Sequence, residues 1–388
     1  MSRPCCKSHM LPPGPLSISL LGSIHEARYG SPFISELLAC CTFVLKLSEH
    51  NQKNESIKTG GNTMMRRRIL SAVLGSLMLN GIVLAGVAHA DSVSLGITQI
   101  VEHPALDASR QGVLDELADH GYVEGDNLTV DFQNAQGDTA IAAQIARKFA
   151  GDRPDLVLAI STPSAQAAAA AMRDTPIVFT AVTDPLMAKL VSDMDAPGGN
   201  ITGVVDAPPL EAQLQLIRDM FPEAQRLGVA YNPGEANSVS QIEKLQELSP
   251  GLGFELVEVT ASRTSEVMGA ARSLAGRVDA IYVPVDNTIV SALESVVRVG
   301  HDASIPVFTG DNASVERGAL ASLGFSYYDM GRQTGELILR ILDGENPGDL
   351  PVGTVEMLEL ILNQGTAERI GYTIPAEFEE QAVEIIAP

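Results

Sequence analysis

The chain has 388 residues, with 26 lysines and arginines against 48 aspartates and glutamates, a formal net charge of −22 and no tryptophan. Nine of the basic and four of the acidic residues precede Asp91, so residues 91–388 hold 17 against 44, a net charge of −27. So acidic a surface repels phosphate backbones and anionic lipid, which argues against nucleic-acid and membrane-surface partners.

Residues 1–63 show no sustained periodicity and read as a leader produced by a start codon assigned too far upstream. All four cysteines (Cys5, Cys6, Cys40 and Cys41) fall in it, leaving the rest of the chain without thiol or disulfide chemistry. From Met64 onward the layout changes. Three arginines, Arg66 to Arg68, precede an apolar stretch that starts at Ile69 and ends on the triplet Ala88-His89-Ala90. Basic head, apolar middle and small-residue exit describe a secretory signal over 64–90, cleaved near Ala90. A membrane anchor needs about 20 apolar residues; here Asn80, the interrupting glycines and the exit triplet favour the signal. The reading predicts a periplasmic protein whose mature chain does not insert in the membrane. Its 298 residues, 91–388, are enough to bury a core without staples.

From Val93, short β-branched runs alternate with helical segments. VSLGITQ (93–99) predicts a strand, and the segment from Pro104 to Gly121 a helix opened by proline and closed by glycine. LTVDFQN (128–134), DLVLAI (155–160), PIVFTA (176–181), RLGVAYN (226–232), FELVEVT (254–260), VDAIYVP (278–284), IPVFTG (305–310) and ALASLGF (319–325) continue the strand series. Strands alternating with helices predict an α/β protein with parallel sheets covered on both faces. Ligands bind such sheets at the carboxyl ends of the strands.

The chain also echoes itself. RPDLVLAISTPSAQAAAAAMRDTPIVFTAVTDP (153–185) and RVDAIYVPVDNTIVSALESVVRVGHDASIPVFTGDN (277–312) share an order: Arg-x-Asp, apolar strand, polar turn, helix, a VFT strand, then a loop with an aspartate. This predicts two related, doubly wound lobes, with 161–163 of one matching Asp286-Asn287-Thr288 of the other. A helix beginning at Pro163 leaves its first N–H groups without internal partners, and Ser161 and Thr162 add hydroxyls. Such a tip suits a carboxylate, though an ordinary N-cap uses the same residues. Opposite it, Asp286 offers negative charge, and a zwitterion held between the lobes needs both.

Catalytic signatures are missing. His103, His120 and His301 show no metal-ligand spacing, and no G-x-S-x-G, Walker, H-E-x-x-H or G-x-G-x-x-G pattern occurs. The reading is therefore of a protein that is not an enzyme and uses neither metal nor cofactor.

ITQIVEHPALDASRQGVLDELADHGYVEGDNLTVDFQNAQGD, VFTAVTDPLMAKLV, PGGNITGV, VPVDNTIVSAL and GALASLGFSYYDMGRQTGELILRIL resemble, in order, the substrate-binding proteins of ABC transporters, the tryptophan- and tyrosine-type branch among them. The resemblance spans 92–380. It implies a type I periplasmic-binding-protein fold with a cleft between the lobes, an aromatic amino acid as ligand, and delivery to a permease driven by an ATPase. A sensor subunit for another small molecule, or an exported hydrolase, stays open as an alternative. The lobes are expected at 91–205 with 318–345, and at 206–317 with 346–388.

In that fold the loops after the strands face the cleft, which sets the remaining candidates. Gln99 ends the first strand, with Glu102, His103 and Asp107 after it. Thr183 and Asp184 precede Pro185, where Asp184 is also a ready helix cap. Asp206 stands where the chain crosses between lobes, and Asn232 ends the second lobe's first strand. Asp286, Asn287, Thr288 and Asp311, beside Asn312, are the candidates of the second lobe, with Asp286 or Asp311 expected to meet a ligand ammonium. Tyr327, in a cluster with Phe325 and Tyr328, is the aromatic candidate.

Overall fold

The computed structural model describes residues 92–388 apart from Glu356; the proposed leader and signal lie outside these residues. The first sheet contains β1 (Val93–Gln99), β2 (Leu128–Asn134), β3 (Leu156–Ile160), β4 (Ile177–Val182), β5 (Ile201–Val205) and β11 (Gly353–Thr354). Its helices are α1 (Pro104–Asp119), α2 (Thr139–Asp152), α3 (Thr162–Ala171) and α10 (Tyr327–Leu342). The second sheet contains β6 (Arg226–Tyr231), β7 (Glu255–Thr260), β8 (Ala280–Val283), β9 (Val307–Thr309), β10 (Ala321–Gly324), β12 (Glu359–Asn363) and β13 (Glu384–Ile386). Around it lie α4 (Leu210–Met220), α5 (Ala236–Leu248), α6 (Thr264–Leu274), α7 (Asn287–Ser291), α8 (Leu293–Ala303), α9 (Ala313–Glu316), α11 (Gln364–Ile370) and α12 (Ala376–Gln381).

The strand orders are β2-β1-β3-β4-β5-β11 and β7-β6-β8-β9-β10-β12-β13. Position by position the two sheets repeat one winding, as the internal echo predicts. All pairings are parallel except β10 with β12. This is the type I periplasmic-binding-protein fold. The central strands β3, β4, β5 and β8 are buried at every residue, which is why they read as unbroken apolar runs rather than alternating ones.

The lobe boundaries differ from the sequence reading at two crossings. β10 pairs with β9 and β12, so 318–324 belong to the second lobe and the chain recrosses only between Gly324 and Tyr327. Likewise β11 pairs with β5, and Leu350 and Val352 pack in the first lobe's core with Phe325 and Tyr327. The last crossing therefore lies between Thr354 and Glu359, not at 346. An apolar run such as ALASLGF specifies a buried strand but not which of two similar sheets receives it.

Helices α1 and α10 hold two site residues in place, since His103 directly precedes α1 and Tyr327 begins α10. They approach closely at glycines. A Cβ on Gly112 would lie 2.1 Å from the Tyr328 carbonyl oxygen, and one on Gly331 2.1 Å from the Ser109 carbonyl oxygen. Backbone atoms on both sides leave nothing to yield. Gly331→Ala is expected to cost about 1–3 kcal/mol by forcing these helices apart; chemical denaturation showing unchanged stability would refute the close packing.

Candidate functional site

Every polar wall of the cleft comes from the carboxyl end of a strand. After β1 comes His103, after β3 Ser161, at and after β4 Ala181 and Thr183, and after β5 Asp206. From the second lobe, Asn237 follows β6, Val285 to Asn287 follow β8 and Asp311 follows β9; Tyr327, back in the first lobe at the start of α10, follows β10. Together with Ala105, Leu106 and Val290 they line one small cavity between the lobes.

Local backbone geometry aims these residues. Ser161 has φ 80° and ψ 155°, a region that favours glycine, and Ala181 has φ 55°. The register between β4 and β5 shifts between Phe179 and Val182, and such bulges redirect side chains near functional sites. Strained residues of this kind cost about 1–3 kcal/mol and persist where the surroundings fix them. Two of the six non-glycine residues with positive φ among the described residues thus lie on this one cavity wall.

Ser161 does not cap its own helix. Its Oγ instead donates to Oδ1 of Asn287 across the cleft at 2.8 Å, so the turns paired by the internal echo touch. The amide of Asn287 is oriented from behind by Glu235, a buried carboxylate that the sequence reading did not select. Glu235 accepts from Asn287 Nδ2 at 2.5 Å and from Thr288 Oγ1 at 2.7 Å. It also accepts from the backbone N–H groups of both residues at 3.2 Å. With Nδ2 committed to Glu235, Oδ1 is the end left facing Ser161.

Three aspartates face the cavity, and among the described residues no lysine or arginine lines it. Asp206 is 4 % exposed and accepts one hydrogen bond per oxygen, from Thr183 Oγ1 and Tyr327 OH, each 2.8 Å. Asp311 accepts from the N–H of Ser314 at 3.0 Å and from its hydroxyl at 2.6 Å. Asp286 accepts three: from the N–H of Asn232, the hydroxyl of Ser238 and the N–H of Ile289. It is thus also the N-cap of α7. Burial pushes the carboxyls of Asp206 and Asp311 above the usual range, only partly offset by these hydrogen bonds. Burial, with the nearby Glu235, pushes Asp286 up to about 7. Burial first and Arg317 second depress the His103 imidazole to about 3, so it is neutral at physiological pH. The result is a small, desolvated chamber with an excess of acceptor oxygen, a setting that favours a cation.

His103, weighed beside Gln99 in the sequence, and seven further expected residues come together here: Ser161, Thr183, Asp206, Asp286, Asn287, Asp311 and Tyr327. The ring of Tyr327 stacks on Phe325, with centroids 5.5 Å apart. The other five candidates lie off the wall. Gln99 is held by Val101, Asp107 and Arg110, and Asp184 caps the N–H of Met187. Asn232 and Thr288 bond to each other and to Glu235. Thr162 is buried beside the chamber, its hydroxyl without a partner. Tyr328 points away to Asp115. Beyond Glu235, the sequence reading also missed Asn237. Both follow the carboxyl end of β6 in NPGEANS, where the rule that singled out Asn232 applies equally to them.

Residues 94–386 match the model of the family described as ABC transporter substrate binding protein. The chain belongs to the ABC transporter substrate-binding protein family. Among the relatives of this substrate-binding protein is the tyrosine-binding protein of Clostridioides difficile (strain R20291), 41% identical over 312 residues, 78% of this chain and 90% of that protein. Two solved structures bear on conformation. The ABC domain from Streptococcus pneumonia in complex with L-Trp is 35% identical, covers 76% of this chain and all of its own, and superposes with a TM-score of 0.74. The ligand-free, open structure of a substrate-binding protein with adhesive properties from Clostridium difficile is 40% identical with the same coverage, yet its TM-score is 0.59. The higher identity paired with the poorer superposition fits the Ser161–Asn287 contact: this substrate-binding protein is seen with its lobes closed.

Proposed function

We propose that the protein is the exported receptor of an ABC importer and binds an aromatic amino acid by lobe closure. The observation that carries this reading is the chamber of three buried aspartates with no lysine or arginine of the described residues on its wall, where His103 is neutral. An α-ammonium group supplies the missing positive charge. A carboxylate has about four acceptor sites; Asp206 and Asp311 each use two, whereas Asp286 uses three. The ammonium is therefore assigned to Asp206 and Asp311, and Asp286 holds the loop that carries Asn287. Each charged hydrogen bond contributes about 1.5–3 kcal/mol where water is excluded. The carboxylate of the ligand is assigned to the tip of α3 beside Ser161, which lines the cavity; there the first helical N–H groups have no internal acceptor. Alanine, leucine and valine side chains and the ring of Tyr327 supply walls for a flat side chain.

Relatives named for tyrosine and crystallised with L-Trp support the aromatic class. Closure is driven by contacts that exist only when both lobes reach the ligand, since only differential affinity shifts the equilibrium. The pattern of 64–90 supports export to the periplasm, where the closed receptor would present its ligand to a permease coupled to an ATPase. Calorimetric titration of the protein recovered from the periplasm tests the reading. Saturable binding of at least one of L-tyrosine, L-tryptophan and L-phenylalanine is expected, without response to simple sugars. A sugar response, or silence toward all three amino acids, would remove it.

A further inference from the structure

Sorting the cavity wall by donors and acceptors reveals a group that the amino-acid head does not require. The hydroxyls of Thr183 and Tyr327 are committed to Asp206, that of Ser161 to Asn287, and the amide N–H of Asn287 to Glu235. Asn237 differs. It is 3 % exposed, lines the cavity, and its Oδ1 is buried with no hydrogen-bond partner among the described residues. The orientation of its amide is fixed by chemistry. Nδ2 faces two acceptors, the Val285 carbonyl oxygen at 2.9 Å and Glu235 Oε2 at 3.4 Å. Turning the amide over would bring Oδ1 against both of them and leave a donor without an acceptor. Asn237 therefore presents a fixed acceptor, and leaving a buried acceptor unpaired is costly.

A ligand carboxylate cannot satisfy this oxygen, because two acceptors repel. The ammonium has carboxylates with open lone pairs to go to. Building on the amino-acid assignment above, we propose that Asn237 is the side-chain specificity residue and receives a hydrogen-bond donor carried by the aromatic ring of the ligand, a phenol O–H or an indole N–H. The site then selects against phenylalanine even though a phenyl ring fits the same walls. Discrimination of this kind is strong, because the analogue that lacks the donor leaves a buried polar atom unpaired.

The test compares dissociation constants of the full mature protein for L-tyrosine, L-phenylalanine, L-tryptophan and 1-methyl-L-tryptophan, in wild type and in Asn237→Leu. In wild type, tyrosine is expected to bind more tightly than phenylalanine by about 30-fold or more, and methylation of the indole nitrogen to weaken tryptophan by a similar factor. Asn237→Leu is expected to bring tyrosine and phenylalanine within about threefold, by weakening tyrosine and sparing phenylalanine. Equal wild-type affinities for tyrosine and phenylalanine overturn the proposal even if the variant does not fold. So does a uniform loss for every ligand in Asn237→Leu, which would place Asn237 at the ammonium. Failure of wild type to bind any of the four ligands would instead count against the aromatic-amino-acid reading itself.

Discussion

Asp206→Asn is expected to weaken amino-acid binding by about 100-fold or more while making the ligand-free protein more stable. The two effects have one cause. Asp206 is a desolvated carboxylate flanked only by hydroxyls and, at longer range, by Asp311. With an ammonium in place, removing its charge is equivalent to breaking a buried ion pair, at about 3–5 kcal/mol. Without ligand, the same charge is a burden on the fold. The substitution is sterically mild, because Thr183 and Tyr327 present hydroxyls that can rotate to accept from the new amide as readily as they donate to the carboxylate. Melting temperature should therefore rise, by about 2–4 °C per kcal/mol recovered in a protein of this size, as calorimetric affinity falls. A variant that loses both stability and binding would show that Asp206 serves the fold alone.

Opposite pH trends for stability and affinity form the second large expectation. Burial raises the carboxyls of Asp206, Asp286 and Asp311 in the folded state, Asp286 to about 7 from an ordinary 3.8. A raised folded-state value means that the native protein binds protons more tightly than the unfolded chain. The stability contributed is complete below about pH 3.8 and is lost as pH rises toward 7. The ligand-free protein should accordingly melt higher at pH 5 than at pH 7.5. Affinity for an ammonium runs the other way, since it needs the carboxylates ionised. It should fall by about tenfold or more between pH 7.5 and pH 5, at 1.36 kcal/mol per pH unit for each proton taken up. His103 acts on stability in the opposite sense. It stays neutral in the folded protein down to about pH 3, while the unfolded imidazole takes up a proton below its ordinary 6.5. Three carboxyls act against this one group, and the affinity trend does not involve it. Thermal melts with and without ligand at the two pH values measure both trends, and parallel movement of stability and affinity would contradict the assignment.

Much of the fold is written locally. VSLGITQ and LTVDFQN become β1 and β2 over the expected residues. The segment opened by Pro104 becomes α1, ending just before Gly121, whose φ of 89° is the positive backbone angle that a glycine supplies. Buried parallel strands leave a strong trace because each face must be apolar. The site was legible only to the level of the loop. Placing candidates at strand ends picked out the stretches around 161, 183, 206, 286 and 311, which come together on one cavity wall. Gln99, Asp184, Asn232 and Thr288 occupy equivalent positions, yet neighbouring donors and acceptors absorb their side chains. Glu235 and Asn237, by contrast, open α5 just after an Asn-Pro-Gly that reads as ordinary turn chemistry.

The sequence by itself determined that two similar parallel sheets would form and that polar turns would gather at their carboxyl ends, because hydrophobic periodicity and turn composition act over a few residues. Tertiary structure alone decided which sheet receives 318–324 and 346–354, that Ser161 reaches Asn287 rather than its own helix, and that three aspartates share one buried wall with no described lysine or arginine on it. Those outcomes depend on the direction of individual side chains and on water excluded by residues more than a hundred positions away, and no local pattern encodes either.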